Sequence, residues 1–131
     1  MQPETLVELH LEGDLVVARV KDGAERPDNY EYSQTIMDFC HNNECSRVLL
    51  DERQGTWGRN FFEDYKMLDL LVSRGVDNKV HRVACVASPV RFRAVRDFEI
   101  MARNRGVNFR AFDNPDEARA WLKEKTLKPP E

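Results

Sequence analysis

No apolar stretch in these 131 residues approaches the ~20 needed to cross a bilayer. The amino-terminal run MQPETLVELHLEG has neither a basic head nor a long apolar centre, so no secretory leader is expected and a cytoplasmic setting follows by default. Cysteine is scarce: Cys40, Cys45 and Cys85 make an odd set whose spacing fits no disulfide framework, which points to reduced thiols. Net charge is only −3, and internal repeats are absent. Also missing are the Gly-x-Ser-x-Gly elbow, the phosphate loop and the dinucleotide fingerprint; QGTWGRN matches none of them.

What is present is core material. The apolar fraction is 41% and the charged fraction 33%, with seven Phe, three Tyr and two Trp, the profile of one soluble domain with a single core. Residues 5–11 alternate with the period of a half-buried strand, Glu12-Gly13-Asp14 is turn chemistry, and LVVARV (15–20) completes a hairpin. Tyr32, Ile36, Phe39 and Cys40 recur at helical spacing between Tyr30 and Asn43. SRVLLDE (46–52) and HRVACVA (81–87) are continuous apolar runs, suited to strands covered on both faces. Phe61–Arg74 has a helical stripe of Phe61, Tyr65, Leu68, Leu71 and Val72.

Ser88 is placed to cap a helix beginning at Pro89, with Ala94, Val95, Phe98, Met101 and Ala102 facing inward and Gly106 as its left-handed stop. VNFRAF (107–112) follows as a strand with Val107, Phe109 and Ala111 on one side. DNPDEARAWLKEK (113–125) is a capped helix with acids first and lysines last, and 126–131 is a frayed tail. The order β-β-α-β-α-β-α-β-α implies one α/β domain over 1–131: a mixed, mostly parallel five-stranded sheet with an N-terminal hairpin and four helices.

The search for chemistry yields loop residues and no assembled catalytic set. Cys40, His41 and Cys45 lie close together, but His41 and Cys45 share a face only if a helix runs past Asn42-Asn43, and no second ligand pair exists, so no metal and no cofactor are expected. Adjacent strand residues point to opposite faces, which separates Asp51 from Glu52 as an acid–base couple; Asp51 is then a solvated or loop-bracing carboxylate, or a group lining a crevice at the strand end. Residues 79–110 hold eight basic side chains against two acidic ones, +6 there and −9 elsewhere. Helical spacing pairs Arg93 with Asp97 and threads Arg96, Glu99 and Arg103 into a surface ladder, leaving Arg91 and Arg105 as free cations. Nucleic-acid binding would want more unpaired cations and stacking aromatics. In an open parallel sheet, ligands gather outside the carboxyl ends of the strands at a switch in strand order. Asp51, Arg53, Thr56, Trp57, Arg59, Ser88 and Arg91 are the residues expected there, and the arginines suit a small anionic or lipid-like ligand.

RVLLDER (47–53) and then HRVACVASPVRFRAVRDFEIMARNRGVNFRAFDNPDEARAWL (81–122) resemble the SpoIIAA-like group of the STAS fold, the anti-sigma-factor-antagonist fold often described together with CRAL-TRIO-like proteins. The likeness covers most of residues 5–124 in element order. It is most specific in the run from Phe98 to Val107 and in DEARAWL (116–122). It implies a STAS-like fold. Together with the lack of an assembled catalytic set, it leads to the expectation of a non-catalytic cytosolic regulatory module working through a protein partner or a homodimer. A small-molecule binder is the alternative and, behind both, an enzyme of unrecognised type using Asp51, Ser88 or Cys85. Founding members are phosphorylated on the serine of an Asp-Ser pair opening the helix after the third strand. Here Arg59-Asn60 stands at about that place, Thr56 is displaced from it, and the phospho-switch does not carry over.

Overall fold

The apolar runs 15–20, 47–51 and 82–86 become strands, whereas Tyr65, expected on an inner helical stripe, is 47% exposed. The structure, a computed structural model, describes residues 7–21, 29–54, 65–66, 68–69, 72–73 and 82–124. Its elements are β1 (Val7–Glu12), β2 (Leu15–Val20), α1 (Asn29–Asn42), β3 (Arg47–Asp51), β4 (Arg82–Val86), α2 (Phe92–Asn104), β5 (Phe109–Phe112) and α3 (Pro115–Lys123). The chain is therefore α/β with a five-stranded mixed sheet: β1 and β2 are antiparallel, and β2 to β5 run parallel. Of the helix expected over 61–74, Tyr65, Lys66, Leu68, Asp69, Val72 and Ser73 are helical, and the rest of it lies outside the described residues. None of the described helices is long and apolar enough to cross a membrane.

Strand order follows the chain, β1-β2-β3-β4-β5, without the reversal expected of a ligand-binding switch point. Crossovers of one hand that always step in one direction leave their helices on one face. Accordingly Ile36 and Cys40 of α1, Leu68, and Val95, Phe98 and Ala102 of α2 share one core cluster with Val16, Val48, Cys85, Phe109 and Ala111. Among the described helices, only α3 takes the other face, where Ala118 and Leu122 pack on Leu15, Val17, Leu49, Ala84, Val86 and Phe112. The chain thus parts at the carboxyl ends of neighbouring strands: β4 leads to one face and β5 to the other.

Helix ends are set by specific residues. At the end of α2, Gly106 (φ +82°) donates to Arg103 O at 3.1 Å and Val107 donates to Ala102 O at 3.0 Å, the paired bonds of a Schellman stop. Asn-Arg-Gly is therefore a helix terminator. A Cβ on Gly106 would meet nothing within 4 Å, so Gly106→Ala carries only a backbone penalty. We expect a loss of about 1 kcal/mol, seen as a lower urea midpoint with an unchanged slope. The same motif ends α1, where Glu44 (φ +52°) holds the left-handed position without being glycine. Asn114 caps α3 by accepting from the amides of Asp116 (2.8 Å) and Glu117 (3.2 Å). The far end of α3 is held by arginines from the strands. Arg47 donates to Leu122 O (2.6 Å), and buried Arg82 donates to Trp121 O with its guanidinium over the Trp121 ring.

Two expectations for α2 are corrected. It begins at Phe92, with Arg91 at the cap position and no side-chain capping bond. Ser88 instead accepts from the Arg91 amide through its carbonyl at 3.0 Å, closing a turn in which Pro89 takes the second place, a position proline suits as well as a helix start. Nor is the Glu99–Arg103 spacing simple surface lacing. Glu99 Oε1 accepts from the amide of Ala111 at 2.6 Å, and Arg103 Nε donates to Phe109 O at 3.0 Å. Both side chains satisfy backbone groups of β5, the last strand of the sheet, which would otherwise stand open.

Candidate functional site at the carboxyl rim of the sheet

Asp51 and Val86 are partners in the parallel β3–β4 register, so the segments that follow them emerge at one rim. Glu52 N donates to Val86 O at 2.9 Å and Ala87 N donates to Phe112 O at 3.0 Å, extending the ladders by one bond on each side of β4. Asp51, Arg53, Ser88 and Arg91 are therefore at the same end of the sheet. Thr56, Trp57 and Arg59 lie outside the described residues.

Alternation along the strand sends Asp51 and Glu52 to opposite faces, and each meets a different arginine. Glu52 is 1% exposed and lies toward α2. Arg91, 9% exposed, donates to Glu52 O at 2.9 Å and to Glu52 Oε1 at 3.3 Å, so one guanidinium holds both the backbone and the side chain of this residue. On the other face Arg53 forms a fork onto Asp51, Nε to Oδ1 at 3.0 Å and Nη2 to Oδ2 at 2.8 Å, and its amide adds a bond to Oδ1 at 3.2 Å. Burial by itself would raise the Asp51 carboxyl. The Arg53 fork outweighs it and holds the carboxyl below the usual carboxylate range, while Arg53 is pushed up by the same contact. The pair's stabilisation is present above the ordinary carboxylate range and is lost as acid protonates Asp51.

These contacts correct the picture of free cations. Arg91 is committed to Glu52. Arg105 binds Asp69 at 2.7 Å and lies over the Tyr65 ring, tying the end of α2 to these two helical residues. The bracing role expected of Asp51 is what its geometry shows. Sequence reasoning missed the Glu52–Arg91 pair, whose members are 39 residues apart with no local signal. It also missed a charge row on the α3 face. Glu8 is opposite Arg19 and Arg19 is opposite Asp51 in the strand registers, with Arg19 Nη2 3.2 Å from Glu8 Oε2.

The remaining candidates for chemistry are placed as packing or tethers. Cys85 is fully buried in β4. Burial, with Cys45 nearby, pushes the Cys40 thiol up to about 12, which keeps it protonated. The Cys45 thiol donates to Asp14 O at 2.8 Å, linking the hairpin turn to the α1–β3 connection. Among the described residues no group of three or more His, Cys, Asp or Glu is gathered as a metal site would require.

Among the described residues, those exposed around the paired charges are mixed in character. Pro89 and Val90 stand on the turn before α2, and Asp113 and Asn114 stand on the turn before α3. Val90 is 92% exposed. Comparison with known proteins returns no match to a family model, to a curated protein or to a solved structure.

Proposed function

We propose that this chain is a non-catalytic, STAS-like regulatory module that binds another protein through the carboxyl rim, with the turn Ser88–Arg91 as its contact loop. The observation that carries the reading is the commitment of the rim charges to one another beneath an exposed tip. Asp51 is braced by Arg53, Glu52 by Arg91, and Val90 projects above them on a turn anchored by the buried Arg91. An acid–base catalyst needs a carboxylate or imidazole aimed at a substrate, whereas these carboxylates face guanidinium groups. A loop whose root is fixed by a buried pair presents its tip at low entropic cost, which favours recognition. An anionic small molecule at the same rim gains less from this geometry, because it would have to displace Asp51 or Glu52 from its arginine.

The test is affinity capture with the full chain and with Val90→Asp. A protein recovered by the parent and lost with Val90→Asp, at an unchanged unfolding midpoint, is the expected result. Equal recovery by both, or no specific protein recovered in repeated trials, would remove the rim as a contact surface.

A further inference from the structure

The two edges of the sheet are finished differently. At β5, Glu99 and Arg103 occupy the outward amide of Ala111 and the outward carbonyl of Phe109, so a further strand cannot pair there without breaking both bonds. At β1 the described residues show neither a covering side chain on the outward backbone nor a break in the strand. Its six residues pair with β2 in unbroken register, with no bulge, no proline and no lysine.

The turn fixes which backbone groups of β1 face outward. Gly13 (φ +64°) and Asp14 form a two-residue connection, so Glu12 and Leu15 exchange the first pair of ladder bonds. Antiparallel alternation then turns Glu8, His10 and Glu12 toward β2, and Val7, Leu9 and Leu11 outward. Among the described residues, no hydrogen bond outside the β1–β2 ladder reaches the backbone of these three. The charged side chains of β1 lie on the α3 face and are matched within the chain: Glu8 by Arg19, and Glu12 by Arg119 at 2.8 Å.

We propose that β1 is a self-pairing edge, at which a second copy of this chain adds its own β1 antiparallel about a two-fold axis through Leu9 to form a continuous ten-stranded sheet. Charge pattern and length of overlap together select this register, since centring the axis on Leu11 also sets His10 against Glu12 but pairs only residues 10–12. Centring the axis on Glu8 sets Glu8 against its own copy, and centring it on His10 sets Glu8 against Glu12, like charges in both cases. Centring it on Leu9 places Glu8 of each copy across from His10 of the other, in the pairs that do not share backbone bonds and whose side chains approach most closely. The outward residues then pair Leu9 with Leu9 and Val7 with Leu11, giving about six backbone bonds and covering Leu11, which is 46% exposed in the single chain. His10 of the second copy then stands beside Glu8 at the end of the row Glu8–Arg19–Asp51. The contact is independent of the rim surface around Val90.

Sedimentation equilibrium of the full chain over a wide concentration range tests the proposal. A dimer that dissociates on dilution is expected. His10→Glu opposes like charges at both symmetric positions and should weaken it by about tenfold. The exchanged variant E8H/H10E again sets a histidine against each glutamate and should restore most of the affinity, while Val90→Asp leaves the dimer unchanged. A monomer at every concentration overturns the proposal and leaves the rim reading standing. So does a dimer indifferent to His10→Glu.

Discussion

Arg91→Ala should lower the free energy of unfolding by about 3–5 kcal/mol, because it leaves the Glu52 carboxylate in the interior without the guanidinium that faces it. The loss has two physical parts. The ion pair disappears, and so does the bond to Glu52 O that ties the first residue after β3 to the first turn of α2. Arg91→Lys should fall between parent and alanine, since an ammonium cannot reproduce a planar fork reaching a carbonyl and a carboxylate together. The informative comparison is the double variant Glu52→Leu with Arg91→Met. Replacing both charges by apolar groups of similar size removes the buried carboxylate together with its guanidinium and should recover most of the stability lost by Arg91→Ala. Urea unfolding of the parent, Glu52→Leu, Arg91→Met and the double variant completes a double-mutant cycle. A loss below about 1 kcal/mol for Arg91→Ala would show that water reaches Glu52 and that the pair does not anchor the loop.

That pair also marks where the sequence stops being legible. Short-range patterns are readable because their causes are local: the alternation of Val107, Phe109 and Ala111, the left-handed stop at Gly106, and the Asn114 cap with Pro115 behind it all depend on neighbours within a few residues. Ser88-Pro89 is ambiguous for the same reason, since a capping serine and a turn opening with proline have the same local chemistry. Contacts between distant residues have no such trace. Helical spacing pairs Glu99 with Arg103, yet both reach across to β5 because an edge strand offers unsatisfied backbone groups closer than the next turn of the helix. Arg105 likewise finds Asp69, 36 residues earlier, rather than a ligand. The row Glu8–Arg19–Asp51 follows from strand registers, which become known only once strand order is known.

Phe98→Ala should cost about 3–5 kcal/mol, comparable to the loss of Arg91 but through a different mechanism. The Phe98 ring is almost fully buried between α2 and the sheet and meets Phe109 edge to face, with centroids 4.9 Å apart and planes at 74°. Truncation removes the ring's transfer energy and leaves a void that Val95 and Ala102, both already fully buried, can fill only partly. Phe98→Leu, which keeps most of the volume, should lose well under half as much. Ile100, exposed on the outer side of the same helix, should change by less than about 0.5 kcal/mol when cut to alanine. A second readout separates loss of packing from a general softening. Because α2 delivers Glu99 to the Ala111 amide, a helix that has lost its ring contact should release that amide to hydrogen exchange earlier than the amides of β3, which lie at the centre of the sheet. Early release of Ala111 would assign the run from Phe98 to Val107 to joining one helix to one edge strand. If instead Phe98→Ala were nearly neutral, with Ala111 still protected, another contact would have to hold α2 on the sheet, and the role of this run would have to be sought at the surface.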